Sequence, residues 1–345
     1  MRVLSATQAI SPAVARTRDL LFRPFEWGTF LKLCAVAVFT EGASATLNTQ
    51  HGESGPHLSA GQVIPHFNPA IVAGIIAIML IVFAVSLVVF YFVTRLRFAL
   101  FHCLVYQSRL IAPGWRRYSS QAARFFVFSI MVGVVFFVGV VAALLPFVPK
   151  FWRIYQASRA WGQFPTGELI GTFLQLVPVI LLFALAGVCL DIVMRDFMLP
   201  HYALEDASAG QALLAVWARI TGEPGPFLLY GLLRVVLPAA AIVALTAALF
   251  IPCLIIFGSL GLSIAGLHAA IENAAPAMAA VEWIFIALLG LAGAVFALFL
   301  WICVGGPLSV AIRNYALEFY GGRYQALGDL LSPPPAPNVL QPGNA

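Results

Sequence analysis

The chain has 345 residues, of which 61% are apolar and only 10% charged, and its mean hydropathy is +0.95. Soluble domains carry about 25% charged residues, so this balance excludes an ordinary soluble enzyme and points to a polytopic membrane protein. The formal charge is +5, but nearly all the cations are arginines at the ends of apolar runs; they report topology and lipid headgroups, and no nucleic-acid partner is expected.

The N-terminal "ARTRDLLFRPFEWGTFL" (15–31) reads as a basic helix, a proline break and an aromatic entry into a span. Six spans follow, at about 28–47, 69–94, 125–148, 169–194, 227–257 and 281–312, each reaching the ~20 residues that cross the hydrocarbon. In lipid the backbone must satisfy its own hydrogen bonds, and the alternation of barrel strands is absent, so the spans are helices. The expected fold is an all-α transmembrane bundle forming a single domain over 1–331, with a Pro-rich disordered tail at 332–345. Lys32, Glu41 and Asn48 interrupt the first span. "ASA" at 43–45 has the form of a signal cleavage site, but Lys32 in the apolar core and a long charged leader count against cleavage.

The first outer loop, "NTQHGESGPHLSAGQVIPHFNP", holds His51, Glu53, His57 and His66. These are weak metal candidates, because their spacing matches no specific site. Sixteen cations fall on the side of the termini and three (Lys150, Arg153 and Arg159) on the other, which places both termini in the cytoplasm of a bacterial inner membrane. Cys34, Cys103, Cys189, Cys253 and Cys303 are scattered and read as apolar packing residues.

Two cytoplasmic segments resemble each other. Phe98, Leu100, His102 and Phe197, Leu199, His201 both spell F-x-L-x-H. Trp115, Arg117 and Trp217, Arg219 both spell W-x-R, and Phe125/Phe128 and Phe227/Tyr230 open the next spans. "YALE" recurs at 202–205 and 315–318. The repeating unit is a span entering the cytoplasm, a short interfacial helix and a returning span. Trp115, Arg117, Trp217 and Arg219 are expected at the lipid interface. So is Trp152, in the outer segment "KFWRIYQASRAWGQF". His102 and His201 are expected at the interface as repeat residues, not as catalysts.

The stretch "YALEDASAGQALLAVWARITGEPGPFLLYGLL" resembles a group of bacterial six-span membrane proteins of unknown function. It is similar to the membrane domain fused to some glycerophosphodiester phosphodiesterases. The chain has no room for the phosphodiesterase barrel, so the resemblance implies a fold and not that activity.

Ionisable residues inside spans are costly and are the natural site candidates. Glu41 is expected in the outer half of the first span. Asp191, Arg195, Asp196 and Arg234 are expected to gather on the cytoplasmic side, pinning spans four and five or lining a path. There is no P-loop, HExxH or dinucleotide fingerprint, so no cofactor and no catalytic residue is expected. The leading expectation is a non-catalytic scaffold or accessory protein that engages membrane lipids and a partner membrane protein or a second copy of itself. The alternative is a small permease or channel with a polar path near Glu41 or Asp191 and Arg234, its small-molecule substrate unspecified.

Overall fold

The computed structural model describes residues 3–49, 69–161, 165–271 and 276–332. They form helices joined by short turns and loops, with no strand among them. The helices in chain order are α1 (Ile10–Phe22), α2 (Trp27–Thr49), α3 (Pro69–Val105), α4 (Ile111–Arg117), α5 (Ser119–Leu144) and α6 (Val148–Trp161). They continue with α7 (Thr166–Ile192), α8 (Leu199–Leu204), α9 (Ala209–Gly222), α10 (Pro224–Ile271), α11 (Pro276–Gly321) and α12 (Gln325–Leu331). A short 3-10 turn, Leu145–Phe147, joins α5 to α6, and a π-helical segment, Val193–Met198, joins α7 to α8.

Among the described residues, five helical stretches are long and apolar enough to cross a membrane: Ala73–Val105, Ser119–Arg159, Thr166–Leu204, Pro224–Gly266 and Trp283–Gly321. The 23-residue α2 covers the first predicted span. The result is an all-α fold consistent with a polytopic bundle of about six spans. The helices exceed what a bilayer needs. The 48 residues of α10 rise roughly 72 Å at about 1.5 Å per residue, against a hydrocarbon core of about 30 Å.

Each long helix divides along its length. Between Ile75 and Phe92 the side chains of α3 are apolar and mostly exposed, whereas Phe98 to Val105 contribute to a packed core. The same change occurs in α11, exposed from Val281 to Trp301 and enclosed from Val310 onward. Lipid tails are as apolar as leucine, so the first length gains nothing by burying itself in protein. The second length carries Arg97, His102, Arg313 and Glu318, whose polar atoms need protein partners.

Contacts divide the chain into two compact units. One comprises Met1–Asn68, Ala99–Gly114 and Gly225–Ala345; the other comprises Pro69–Phe98 and Trp115–Pro224. In the first unit α1 is fastened to α11. Asn314 Nδ2 donates to Thr17 Oγ1 at 2.9 Å, and Thr17 Oγ1 donates to Ala13 O at 2.8 Å. Arg16 Nη2 donates to the final carbonyls of α3, Leu104 O (2.8 Å) and Val105 O (3.1 Å), and Nη1 to Leu331 O (3.2 Å). Its Nε lies 3.7 Å from Glu318 Oε1. Arg323 donates to Leu4 O at 3.0 Å and covers the Phe319 ring at 4.2 Å. These contacts bring the N-terminal and C-terminal segments together at one end of the unit. A Cβ on Gly306 would stand 2.2 Å from Cys34 Cβ and 2.8 Å from Cys34 Cα. Only glycine lets α2 and α11 approach this closely.

In the second unit Phe125 is the hub. It meets Phe98 at 5.7 Å and 78°, and Tyr202 at 5.3 Å and 90°, the edge-to-face arrangement that ring quadrupoles favour. Arg95 lies over Trp115 at 4.4 Å. In α9 a capping box starts the helix, with Ser208 and Gln211 each holding the other's backbone N–H. The core side of α9 is Ala212 and Val216; Leu213, Leu214 and Trp217 face outward, as an interfacial helix requires.

The repeat histidines are drawn into protein. His201 is 1% exposed, with Nδ1 3.0 Å from Glu205 Oε2. His102 is half-buried, and its Cβ would lie 2.8 Å from any Cβ placed on Gly114. Helix length explains this: α3 and the α7–α8 stretch run on past the hydropathy limit and carry these residues into packed protein.

Candidate functional site

Two buried arginines of the first unit converge on one carboxylate. Arg234 Nη2 donates to Glu41 Oε2 at 3.2 Å, and Arg313 Nε lies 2.6 Å from Glu41 Oε1. The three side chains are 12%, 9% and 12% exposed for Arg234, Arg313 and Glu41. They come from α10, α2 and α11, so three helices must be in register for the cluster to form. Alone, each charge would be expensive in this setting; together, the ions compensate one another.

Two packing features hold the register. The Gly306–Cys34 approach fixes α2 against α11, and Gly306 and Arg313 lie seven residues apart on one face of α11. Tyr230, one turn before Arg234, stacks on Tyr315 at 5.1 Å and 19° and on Phe319 at 4.4 Å and 18°. Phe227 adds an edge contact to Phe319 at 5.4 Å. Tyr315 is 4% exposed, and its hydroxyl is buried without a hydrogen-bond partner among the described residues.

The arginines lie about 15 Å from the start of α10 and about 12 Å from the end of α11, at about 1.5 Å per residue. Arg234 has Glu41 among its ion-pair partners. In the second unit Asp191 pairs with Arg195 across one turn at 2.9 Å. Arg195 and Asp196 are 4% and 2% exposed within the π-helical segment, while the Asp191 side chain is 44% exposed. Such π segments recur at functional positions in helices.

The interfacial candidates divide by exposure. Trp152 and Trp217 are 59% and 62% exposed and Arg117 is exposed, but Trp115 is half-buried beneath Arg95 and against Phe92. Arg219 Nη1 turns back to Ala215 O at 2.8 Å. Asp206 forms an exposed ion pair with Arg124. His51, Glu53, His57 and His66 lie outside the described residues, as does the Pro-rich tail from 333.

Sequence reasoning singled out Glu41 and Arg234 but did not join them, and it missed two members of the site. Arg313 is one of the sixteen cations on the side of the termini, and its position against the end of the sixth apolar run marks it as the next charge to be buried. Tyr315 stood only as the tyrosine of "YALE". The chemistry on offer is ionic. One carboxylate and two guanidiniums can hold, exchange or release a charged group. Among the described residues, no three His, Cys, Asp or Glu side chains are grouped to hold a metal ion.

A model of the family described as "Family of unknown function (DUF7544)" matches residues 4–330. No curated protein and no solved structure matches the chain, and nothing ties it to the membrane domains fused to glycerophosphodiester phosphodiesterases.

Proposed function

The chain belongs to the DUF7544 family, and from that premise we propose that it is a small permease whose solute site is the Glu41–Arg234–Arg313 cluster. The observation that carries this reading is a carboxylate held by two buried guanidiniums from three helices. Pinning three helices needs no charge. Well-packed apolar residues of similar volume often stabilise as much as a buried ion pair. Ionisable groups inside membrane helices instead mark solute and ion paths.

The repeat belongs to the same reading. Gln107 and Asp206 adopt φ of 51° and 52°, and each lies five residues after the histidine of its F-x-L-x-H segment. Tyr202 and Tyr315, the matched tyrosines of "YALE", each meet an aromatic side chain from the preceding span-entry segment: Phe125 for Tyr202 and Tyr230 for Tyr315. Repeated span pairs of this kind are a common plan in transporters. The arginine-rich end, with both termini, is then cytoplasmic.

Val38, one turn before Glu41 and packed on Gly305, is the test position. Val38→Cys is placed in a chain with Cys34 and Cys103 replaced by Ala and the other cysteines by Ser. It is then treated with a membrane-impermeant thiol reagent from each side of oriented vesicles. A permease exposes its site to both sides in turn, so labelling from both is expected. Protection from one or both sides would return the protein to the scaffold reading.

A further inference from the structure

We infer that the Glu41–Arg234–Arg313 site takes a small anion bearing a carboxylate or phosphate group, which accepts hydrogen bonds from Tyr315 and Arg234 and takes the place now held by Glu41. The inference rests on the permease reading and adds the solute's charge and the residue that recognises it.

The Tyr315 hydroxyl is buried without a partner among the described residues. A buried hydroxyl without a partner is costly, and folded proteins rarely leave one. Tyr315 cannot turn its hydroxyl to water. Its ring is stacked on Tyr230, and Tyr230 is stacked on Phe319, with interplanar angles of 19° and 18°. The ring on which Tyr315 stacks, Tyr230, stands one turn before Arg234 on α10. The neighbouring Asn314 has its Nδ2 committed to Thr17 on α1.

A guanidinium only donates hydrogen bonds, and the phenol has a proton to give, so a group that meets both is an acceptor. A neutral carbonyl would accept from the phenol but gain little from the two guanidiniums. A cation would be repelled by them. An anion meets both conditions, and charge-assisted bonds to Arg are the strong ones. Glu41 occupies the arginines with the same carboxylate chemistry an incoming anion would bring. It acts as the resident acceptor that the solute displaces.

The test uses the full chain in nanodiscs of phosphatidylcholine, titrated calorimetrically with inorganic phosphate, succinate, glycerol and choline. Wild-type protein is expected to bind phosphate or succinate saturably and neither of the others. Tyr315→Phe removes one hydroxyl that supports nothing in the fold. It should weaken anion binding by roughly 10-fold or more, the equivalent of one hydrogen bond to a charged group, while leaving thermal stability unchanged or raised. Tyr202→Phe, the matched change in the other unit, should leave anion affinity unchanged. Glu41→Gln should tighten binding, because a neutral amide competes less well for the arginines.

A parallel arm replaces the lipid with phosphatidylglycerol and adds no solute. If that lipid alone stabilises wild type and not Tyr315→Phe, the anion is a headgroup and the chemistry stands. If neither anion nor lipid binds, or if Tyr315→Phe binds as wild type does, the inference is overturned. The two levels fail separately. Labelling of Val38→Cys from both sides without anion binding removes the inference and keeps the permease. Tyr315-dependent anion binding with one-sided labelling keeps the inference and removes the permease.

Discussion

Arg16→Met should be among the most damaging single changes in the first unit. Its guanidinium makes three hydrogen bonds to main-chain carbonyls, at Leu104, Val105 and Leu331, and faces the Glu318 carboxylate. Arg16 and Glu318 are 17% and 12% exposed. Burial pulls the Arg16 guanidinium below the ordinary arginine value and Glu318 pulls it back up; arginine remains charged throughout. Methionine fills the same volume, so the cost is polar. Removing one partner of a buried ion pair costs about 3–5 kcal/mol, because the other charge is left uncompensated. The 3.7 Å separation and partial exposure place this pair at the low end, and water can recover part of the carbonyl bonding. The expected loss is therefore about 3 kcal/mol. Unfolding in mixed micelles with increasing dodecyl sulfate would measure it. The double variant Arg16→Met/Glu318→Leu removes the stranded carboxylate and should recover about half of the loss. A single-variant loss under about 1 kcal/mol, typical of a surface pair, or a double variant no better than the single, would refute the account.

Other substitutions test the packing. Gly306→Ala would drive a methyl group into Cys34 and should lower stability by about 1–3 kcal/mol with loss of folded yield. Gly305→Ala meets only an ordinary 3.6 Å contact with Val38 and should fold normally; equal yields would rule out the close approach of α2 and α11. Phe125→Ala, at the 1% exposed hub of the second unit, should cost about 3–5 kcal/mol in the same micelle assay. Trp217→Ala, exposed on α9, should change stability by less than about 0.5 kcal/mol while weakening vesicle association of an isolated α9 peptide. Asp206 has a positive φ and an exposed ion pair worth under about 1 kcal/mol. Asp206→Gly should thus be nearly neutral in thermal melts, and Asp206→Val should cost about 1–2 kcal/mol.

The spans were legible because lipid imposes a compositional rule on every residue it touches. Predicted starts at 69, 169 and 227 stand beside helices beginning at Pro69, Thr166 and Pro224. The far ends were not legible. Hydropathy falls at 94 while α3 continues to Val105, and at 312 while α11 continues to Gly321. Hydropathy measures contact with lipid, whereas helicity persists wherever protein supplies partners for Arg97, Arg313 and Glu318. The site was half legible for a related reason. Glu41 stood out as a charge in an apolar run, but its pairing with Arg234 joins positions 193 residues apart. A single sequence holds no record of that proximity. The stretch 15–31 reads as a basic helix, yet gives no sign that Arg16 points inward to cap another helix.

The division of each long helix into a lipid-solvated length and an enclosed length makes bilayer thickness a variable of the protein itself. Where Ile75 to Phe92 or Val281 to Trp301 meet acyl chains in place of neighbouring helices, a thinner or thicker membrane acts on helix tilt with little packing to resist it. In α11 that tilt is delivered through Pro307 to Arg313 and Tyr315, the residues that hold the charge cluster. The lipid composition around the chain thereby becomes an input to the geometry of its ionic site.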